Sequence, residues 1–113
     1  MTLPVHIVYH GTDEASAASI ISHGLDMNAW QLAAGGPGVD PKGFSVTTDK
    51  AVAEMWANAR AIERGGRPVV LEAPAGQLPL RKGSLTDLAD PDEFFVAPQD
   101  FPQVGPGVFR ESP

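Results

Sequence analysis

Proline and glycine divide this chain into short segments. Most of the 11 prolines and 12 glycines lie in three regions, residues 35–43, 65–83 and 98–113. Proline lacks the backbone N–H and glycine readily adopts turn conformations, so regular structure is interrupted there. No apolar run approaches the length that crosses a membrane. We therefore expect short helices and strands joined by loops, and loops often carry functional sites.

Size and charge narrow the class of protein. The 113 residues suffice for one domain with a real core, which we take to span residues 1–113. The absence of cysteine excludes disulfides and thiolate metal sites. A net charge of -6 argues against sequence-independent binding to nucleic acid or to an anionic membrane. The N-terminus carries no export signal of the usual kind, so a cytoplasmic location is expected.

The stretch Val5–Thr12 combines a strand pattern with a polar end. Its apolar and polar residues alternate as in a strand of about five or six residues, which ends near His10. Gly11 has no side chain, so a ligand could approach the backbone there. Thr12 or Asp13 could cap a following helix. These features indicate a polar site for a small molecule, although His10 on pattern alone is as often structural as ligand-binding.

Two helices are predicted. The first runs from Asp13 to His23, with Gly24 as its C-terminal cap. The second follows Thr48 or Asp49 and continues to Arg64, where Gly65 and Gly66 stop it. Its apolar residues repeat at intervals of three and four, which predicts that one face is buried. That face consists of Val52, Met55, Trp56, Ala59 and Ile62.

Several short strands complete the expected fold. They are Gly43–Thr47, Pro68–Ala73, a segment with Leu78 and Leu80, Glu93–Val96, and Val108–Arg110. Residues 26–42 and 83–92 are predicted to be loops. Because strands and helices do not alternate regularly, we predict an α+β domain with two small antiparallel or mixed sheets, flanked by the two helices.

Three pieces of the chain, in this order, resemble the His-Tyr-Glu branch of the ADP-ribosyltransferase superfamily, which includes diphtheria-toxin-like and poly(ADP-ribose)-polymerase-like enzymes. The first is Tyr9-His10-Gly11-Thr12 with a helix that ends Ile21-Ser22-His23-Gly24-Leu25. The second is Gly43-Phe44-Ser45-Val46-Thr47-Thr48, and the third is Asp92-Glu93-Phe94-Phe95-Val96. Each piece alone is weak evidence for the resemblance, but the order and spacing of the three agree with the family pattern over nearly the whole chain.

The resemblance implies an NAD cleft between the sheets and a role for each matching residue. His10 would bind the adenosine ribose of NAD, the backbone of Gly11 would hold the nicotinamide carboxamide, and Thr12 would assist. Trp56 occupies the position of an aromatic residue that stacks on nicotinamide. Glu93 corresponds to the catalytic carboxylate, which stabilises the cationic ribose formed when nicotinamide leaves. NAD would be a co-substrate, and no metal is implied.

The sequence departs from the family pattern at one position. Ser45 stands where the family has tyrosine, and Phe44 lies one residue earlier. Because successive strand residues point to opposite faces, Phe44 can take the place of the tyrosine only if the register shifts by one residue. Lys42 lies in the family's variable loop near the NAD phosphates. Pro91 replaces the second Glu or Gln of arginine-directed members, which makes arginine a less favoured acceptor.

The resemblance further implies a mono-ADP-ribosyltransferase, the toxin or effector domain of a bacterial system, with a protein or nucleic acid as acceptor. An immunity or antitoxin protein would be its partner, and delivery into a target cell within a secreted effector is an alternative to the cytoplasm. Other readings remain open: an NAD glycohydrolase toxin, an enzyme that modifies a small molecule such as an antibiotic, or a non-catalytic module that binds NAD or ADP-ribose. His6 and His10 share a strand face, but the sequence offers no matching third ligand for a metal.

Overall fold

The structure, a computed structural model, describes residues 7–26, 43–82 and 93–113. Four of the six described strands have four residues or fewer, as the distribution of proline and glycine predicts. In chain order they are β1 (Ile7–Asp13), α1 (Glu14–His23), β2 (Phe44–Thr47), α2 (Lys50–Arg64), β3 (Pro68–Pro74), a 3-10 turn (Ala75–Gln77), β4 (Leu80–Lys82), β5 (Glu93–Val96), a second 3-10 segment (Pro98–Gln103) and β6 (Arg110–Glu111).

The described strands form one sheet, not the two that we predicted. Its order is β4-β5-β2-β1-β3-β6, and every neighbouring pair is antiparallel. The α+β class is confirmed, but the prediction of two small sheets is wrong. The physical reason is that β1 pairs with β2 on one side and with β3 on the other, which joins what would otherwise be two halves.

Strand β1 is also longer than expected. We predicted its end near His10, whereas its ladder with β3 continues to the pair of Asp13 and Pro68. Gly11 and Thr12 are therefore strand residues, and both are buried. The pairing with the apolar strand β3 overrides the local turn signal of glycine and threonine.

Both helices have the predicted ends. The Asp13 carboxylate accepts a hydrogen bond from the backbone N–H of Ser16 at the start of α1, and Asp49 caps α2 in the same way. At the other ends, Gly24 and Gly65 adopt φ of 78° and 83°, a conformation that L residues rarely adopt. The boundaries at His23 and Arg64 are confirmed.

The buried face of α2 differs from the prediction. The residues packed against the sheet are Ala53 and Ala57, whereas Met55 and Ile62 are 69% and 86% exposed. The helix lies so close to β1 that only small side chains fit between them, so Met55 and Ile62 turn outward, while Val52 and Trp56 are half-buried at the side of the contact. The apolar spacing correctly predicted a helix, but of the predicted face only Val52 and Trp56 are partly buried, and Met55, Ala59 and Ile62 are exposed.

The two faces of the sheet carry different layers. One face packs with α1 and the C-terminal segment into the hydrophobic core, which contains Val8, Val46, Leu71, Ala17, Phe101 and Phe109. The other face carries α2, as Gly11 shows: a Cβ added to Gly11 would point into that helix. Within the described ranges, no helix is both long and apolar enough to cross a membrane.

Candidate functional site

His10 lies where two neighbouring strands part. β1 is paired with β3 along all seven of its residues, but its described ladder with β2 consists of Tyr9 and Thr47 alone. One residue further along β1, the imidazole Nδ1 of His10 lies 2.6 Å from the carbonyl oxygen of Ser45 on β2. A side chain thus connects the two strands where their backbone pairing stops.

This contact fixes the chemistry of the imidazole. A carbonyl oxygen only accepts hydrogen bonds, so Nδ1 of His10 must carry the proton. Burial lowers the pKa of His10 from 6.5 to about 4, against the opposing effect of the bond to Ser45, and the charge of Arg60 lowers it further. The ring is therefore neutral at pH 7, with its Nε2 a hydrogen-bond acceptor. Such a nitrogen suits a hydroxyl group and has no proton to donate to a phosphate oxygen.

Aromatic rings hold the imidazole on two sides. Phe44 stacks on it with ring centroids 3.9 Å apart and an angle of 28° between planes. Phe44 is itself buried and meets Phe109 edge to face at 5.4 Å. Trp56 of α2 approaches the imidazole from a second direction, at 6.5 Å and 61°. Phe44 thus supports His10 from the core, and Trp56 is the aromatic residue that the helix on the opposite face brings to His10.

The register of β2 and β5 places Glu93 on the strand next to Ser45. Thr47 is paired with Glu93, and Ser45 with Phe95. Paired residues point to the same face of an antiparallel sheet, so the side chains of Ser45 and Glu93 share a face. Tyr9 and Gly11 belong to it too, which makes it the face that carries α2. His10, between them in β1, points to the opposite face, where it stacks on Phe44. Diagonal neighbours in such a ladder lie about 7–8 Å apart, and Glu93 is the diagonal neighbour of Ser45.

Gly11 is enclosed on its side-chain side. A Cβ added there would lie 1.8 Å from the carbonyl oxygen of Ala53 and 2.6 Å from the backbone nitrogen of Ala57. The space that we expected a ligand to use is therefore filled by α2. Any ligand contact with Gly11 must use its peptide groups from another direction.

Thr12 is engaged with the start of α1. Its hydroxyl donates a hydrogen bond of 3.3 Å to Asp13, whose carboxylate also accepts bonds from the backbone N–H and the hydroxyl of Ser16 at 3.1 and 2.7 Å. Burial alone would raise the pKa of Asp13, but these hydrogen bonds hold it below its ordinary value. In the structure, Thr12 supports the cap of α1 next to His10.

One nearby charge was missed in the sequence analysis. Arg60 lies one helical turn beyond Trp56, half-buried, and its charge acts on both His10 and Asp13. Its spacing of four from Trp56 was the available signal, since residues four apart share a helix face. Lys42, which we expected near the NAD phosphates, lies outside the described residues. Among residues 7–26, 43–82 and 93–113, no cluster of His, Asp and Glu could hold a metal ion.

The described part of the site therefore combines three chemical capabilities. His10 offers a neutral nitrogen that accepts a hydrogen bond, Trp56 offers an aromatic surface, and Glu93 offers a carboxylate that can stabilise positive charge. The strands of His10 and Glu93, β1 and β5, lie on the two sides of β2, and Trp56 lies on α2. Comparison of the chain with protein-family models, with curated proteins and with solved structures finds no match.

Proposed function

We propose that this chain is an NAD-dependent mono-ADP-ribosyltransferase with an ADP-ribosyltransferase-like fold, which transfers ADP-ribose to a macromolecule and releases nicotinamide. The main support is that the three strands bearing the resembling motifs are neighbours, in the order β5-β2-β1. His10 donates a hydrogen bond to the backbone carbonyl of Ser45, and the side chain of Glu93 lies diagonally across the β2–β5 ladder from the side chain of Ser45. The motifs lie far apart in the chain but are carried by three adjacent strands.

Each residue has a defined part in the proposed reaction. Nε2 of His10 accepts a hydrogen bond from a hydroxyl of the adenosine ribose, and Trp56 stacks on the nicotinamide ring. The bond between that ring and C1′ of its ribose breaks, and the electron pair goes to the ring, so nicotinamide leaves as a neutral molecule. The Glu93 carboxylate binds the adjacent ribose hydroxyl and stabilises the positive charge on the sugar. The acceptor then attacks C1′ and loses its proton to solvent.

The decisive experiment follows nicotinamide release from NAD by the purified protein, with and without cell lysate. We expect Glu93→Gln to lower kcat by about 100-fold or more, because electrostatic contacts that act mainly in the transition state have this magnitude. KM for NAD should change little, since the contact strengthens only as charge develops. Glu63→Gln, which changes an exposed carboxylate on α2, is the matched control and should leave both constants unchanged.

The outcomes separate the alternatives. Release that requires lysate, with label from NAD appearing on a macromolecule that protease or nuclease then degrades, supports the transferase and identifies its acceptor class. Release without lysate identifies a glycohydrolase, and label on a small molecule identifies a modifying enzyme. No release under any condition, together with binding of NAD, would overturn the proposal in favour of a binding module.

The biological setting is part of the same proposal and depends on the family resemblance. The domain would act as a bacterial toxin or effector, either in the cytoplasm or after delivery into a target cell, and an immunity or antitoxin protein would neutralise it. Expression should then arrest growth, and Glu93→Gln should restore it. Growth arrest that persists in the variant would contradict a toxic activity at this site.

A further inference from the structure

We propose that Gly11 is a positioning residue, which lets α2 lie directly on β1 and thereby sets the distance between Trp56 and His10. This inference deepens the proposed function and gives Gly11 a role different from the ligand contact implied by the family resemblance. It rests on the geometry of the interface between α2 and β1.

The contact at Gly11 is between backbones. The ideal Cβ position of Gly11 lies 1.8 Å from the carbonyl oxygen of Ala53 and 2.6 Å from the backbone nitrogen of Ala57, and real Cβ contacts essentially never fall below 3.0 Å. The neighbours are backbone atoms, which cannot rotate away as a side chain can. Any side chain at this position would therefore displace the helix or the strand by more than about 1 Å.

The helix contributes equally small residues. Ala53 and Ala57 are its buried positions, and they are 0% and 1% exposed. Glycine on the strand and two alanines on the helix thus form a contact without bulky side chains. Lys50, near the start of the helix, lies 5.9 Å above the ring of Tyr9, so α2 and β1 advance in the same direction along this contact.

The position of Trp56 depends on how closely α2 approaches β1 at this contact. It lies between Ala53 and Ala57 in the sequence of α2, immediately before the second of them, and its indole meets the His10 imidazole at 6.5 Å. His10 in turn is the residue before Gly11. Because both aromatic residues adjoin the backbone contact, a displacement of the helix there changes their separation. A misplacement of about 1 Å can reduce catalysis by about 100-fold.

The test compares changes on the two sides of the contact. Gly11→Ala adds a Cβ on the strand, whereas Ala57→Val adds volume on the helix and leaves β1 unchanged. Gly76→Ala is the matched control, since a Cβ there meets no atom within 4 Å. If Gly11 acts by positioning, both interface variants should have the same effect. If it acts only through ligand contact, Ala57→Val should behave like the wild type.

The first readout requires no NAD. The aromatic C–H signals of the three histidines can be followed by NMR, with Trp56→Leu as the reference for a His10 that lacks the indole. We expect Gly11→Ala and Ala57→Val to move the His10 signals toward that reference and to raise its pKa from about 4, because water gains access. Unchanged His10 signals in a folded interface variant would overturn the proposal, and Ala57→Val decides the matter should Gly11→Ala fail to fold.

The second readout is turnover of NAD. We expect both interface variants to reduce kcat/KM by about 100-fold, with Gly76→Ala at the wild-type value. If the wild type does not cleave NAD, the proposed function fails, but the NMR comparison still tests the positioning role of Gly11. If the wild type does cleave NAD and only Gly11→Ala is impaired, the positioning role fails while the function stands.

Discussion

The imidazole of His10 links the charge of the candidate site to the stability of the fold. Its pKa is about 4 in the folded protein and near 6.5 when unfolded, so the unfolded chain binds more protons between these values. The contribution to stability is complete above pH 6.5 and is lost as the pH falls to about 4. One pKa unit corresponds to about 1.4 kcal/mol, so we expect a loss of up to about 3 kcal/mol, measured by urea denaturation across this range.

A variant at the same position isolates this effect from the carboxylates, which also titrate as the pH falls. His10→Gln has no ionisable group, so its free energy of unfolding should change less than that of the wild type between pH 6.5 and 4. The two proteins should then respond alike at lower pH, where Asp13 and Glu72 take up protons. If the free energies of unfolding of the two proteins changed in parallel over the whole pH range, burial of His10 would contribute nothing to the pH dependence of stability.

The helices show what local sequence can and cannot determine. Asp13, Gly24, Asp49 and Gly65 act through atoms within their own turn, and for this reason the ends of both helices were predictable. Which face of α2 is buried depends instead on the strand that it meets. The close approach at Gly11 puts Ala53 and Ala57 at the centre of the contact and leaves Met55 and Ile62 exposed, which the helical spacing of the apolar residues could not indicate.

The exposed stripe of α2 provides an element-scale prediction. Because Ile62 is 86% exposed, Ile62→Gln should change the free energy of unfolding by no more than about 0.5 kcal/mol, as is usual for surface positions. Had Ile62 been packed in the core, truncation of its buried surface would cost about 2–5 kcal/mol. Thermal and urea denaturation distinguish the two values. Met55→Gln is the parallel variant on the same stripe, and a large loss in either would contradict the orientation of the helix.

At the scale of the whole molecule, the sheet could not be read from the sequence. The strands around Val46, Val70 and Phe94 were recognisable from their residues, but nothing local states that β1 lies between β2 and β3. The pair of Tyr9 and Thr47 joins the two expected sheets into one. It forms between residues that are far apart in the sequence, so no local pattern predicts it. The hydrogen bond of His10 to Ser45 depends on the same pairing of β1 with β2. The candidate site residues were therefore predictable as motifs, but their hydrogen bonds and ring stacking were not.

The C-terminal strand β6 pairs with β3 at the edge of the sheet, and a partly buried ion pair joins the same two strands. Arg110 on β6 donates two hydrogen bonds, of 3.1 and 2.8 Å, to Glu72 of β3. Glu72 is only 7% exposed, and the hydrogen bonds from Arg110 are the main reason that its pKa is lowered. Arg110→Ala would leave this carboxylate buried without its cation. We expect a loss of about 1–3 kcal/mol in the free energy of unfolding at pH 7, measured by urea denaturation.

A second arginine supplies the comparison that tests this reasoning. Arg67 makes more contacts than Arg110, because it bonds Glu14 and both carboxylate oxygens of Glu111, but these partners are about half exposed. Exposed ion pairs are well solvated when broken and contribute little, so Arg67→Ala should cost less than Arg110→Ala. If the order were reversed, the number of contacts rather than the burial of the carboxylate would govern how the terminal strand is held. The double variant Glu72→Gln, Arg110→Ala should recover part of the loss, since it removes the buried charge together with its partner.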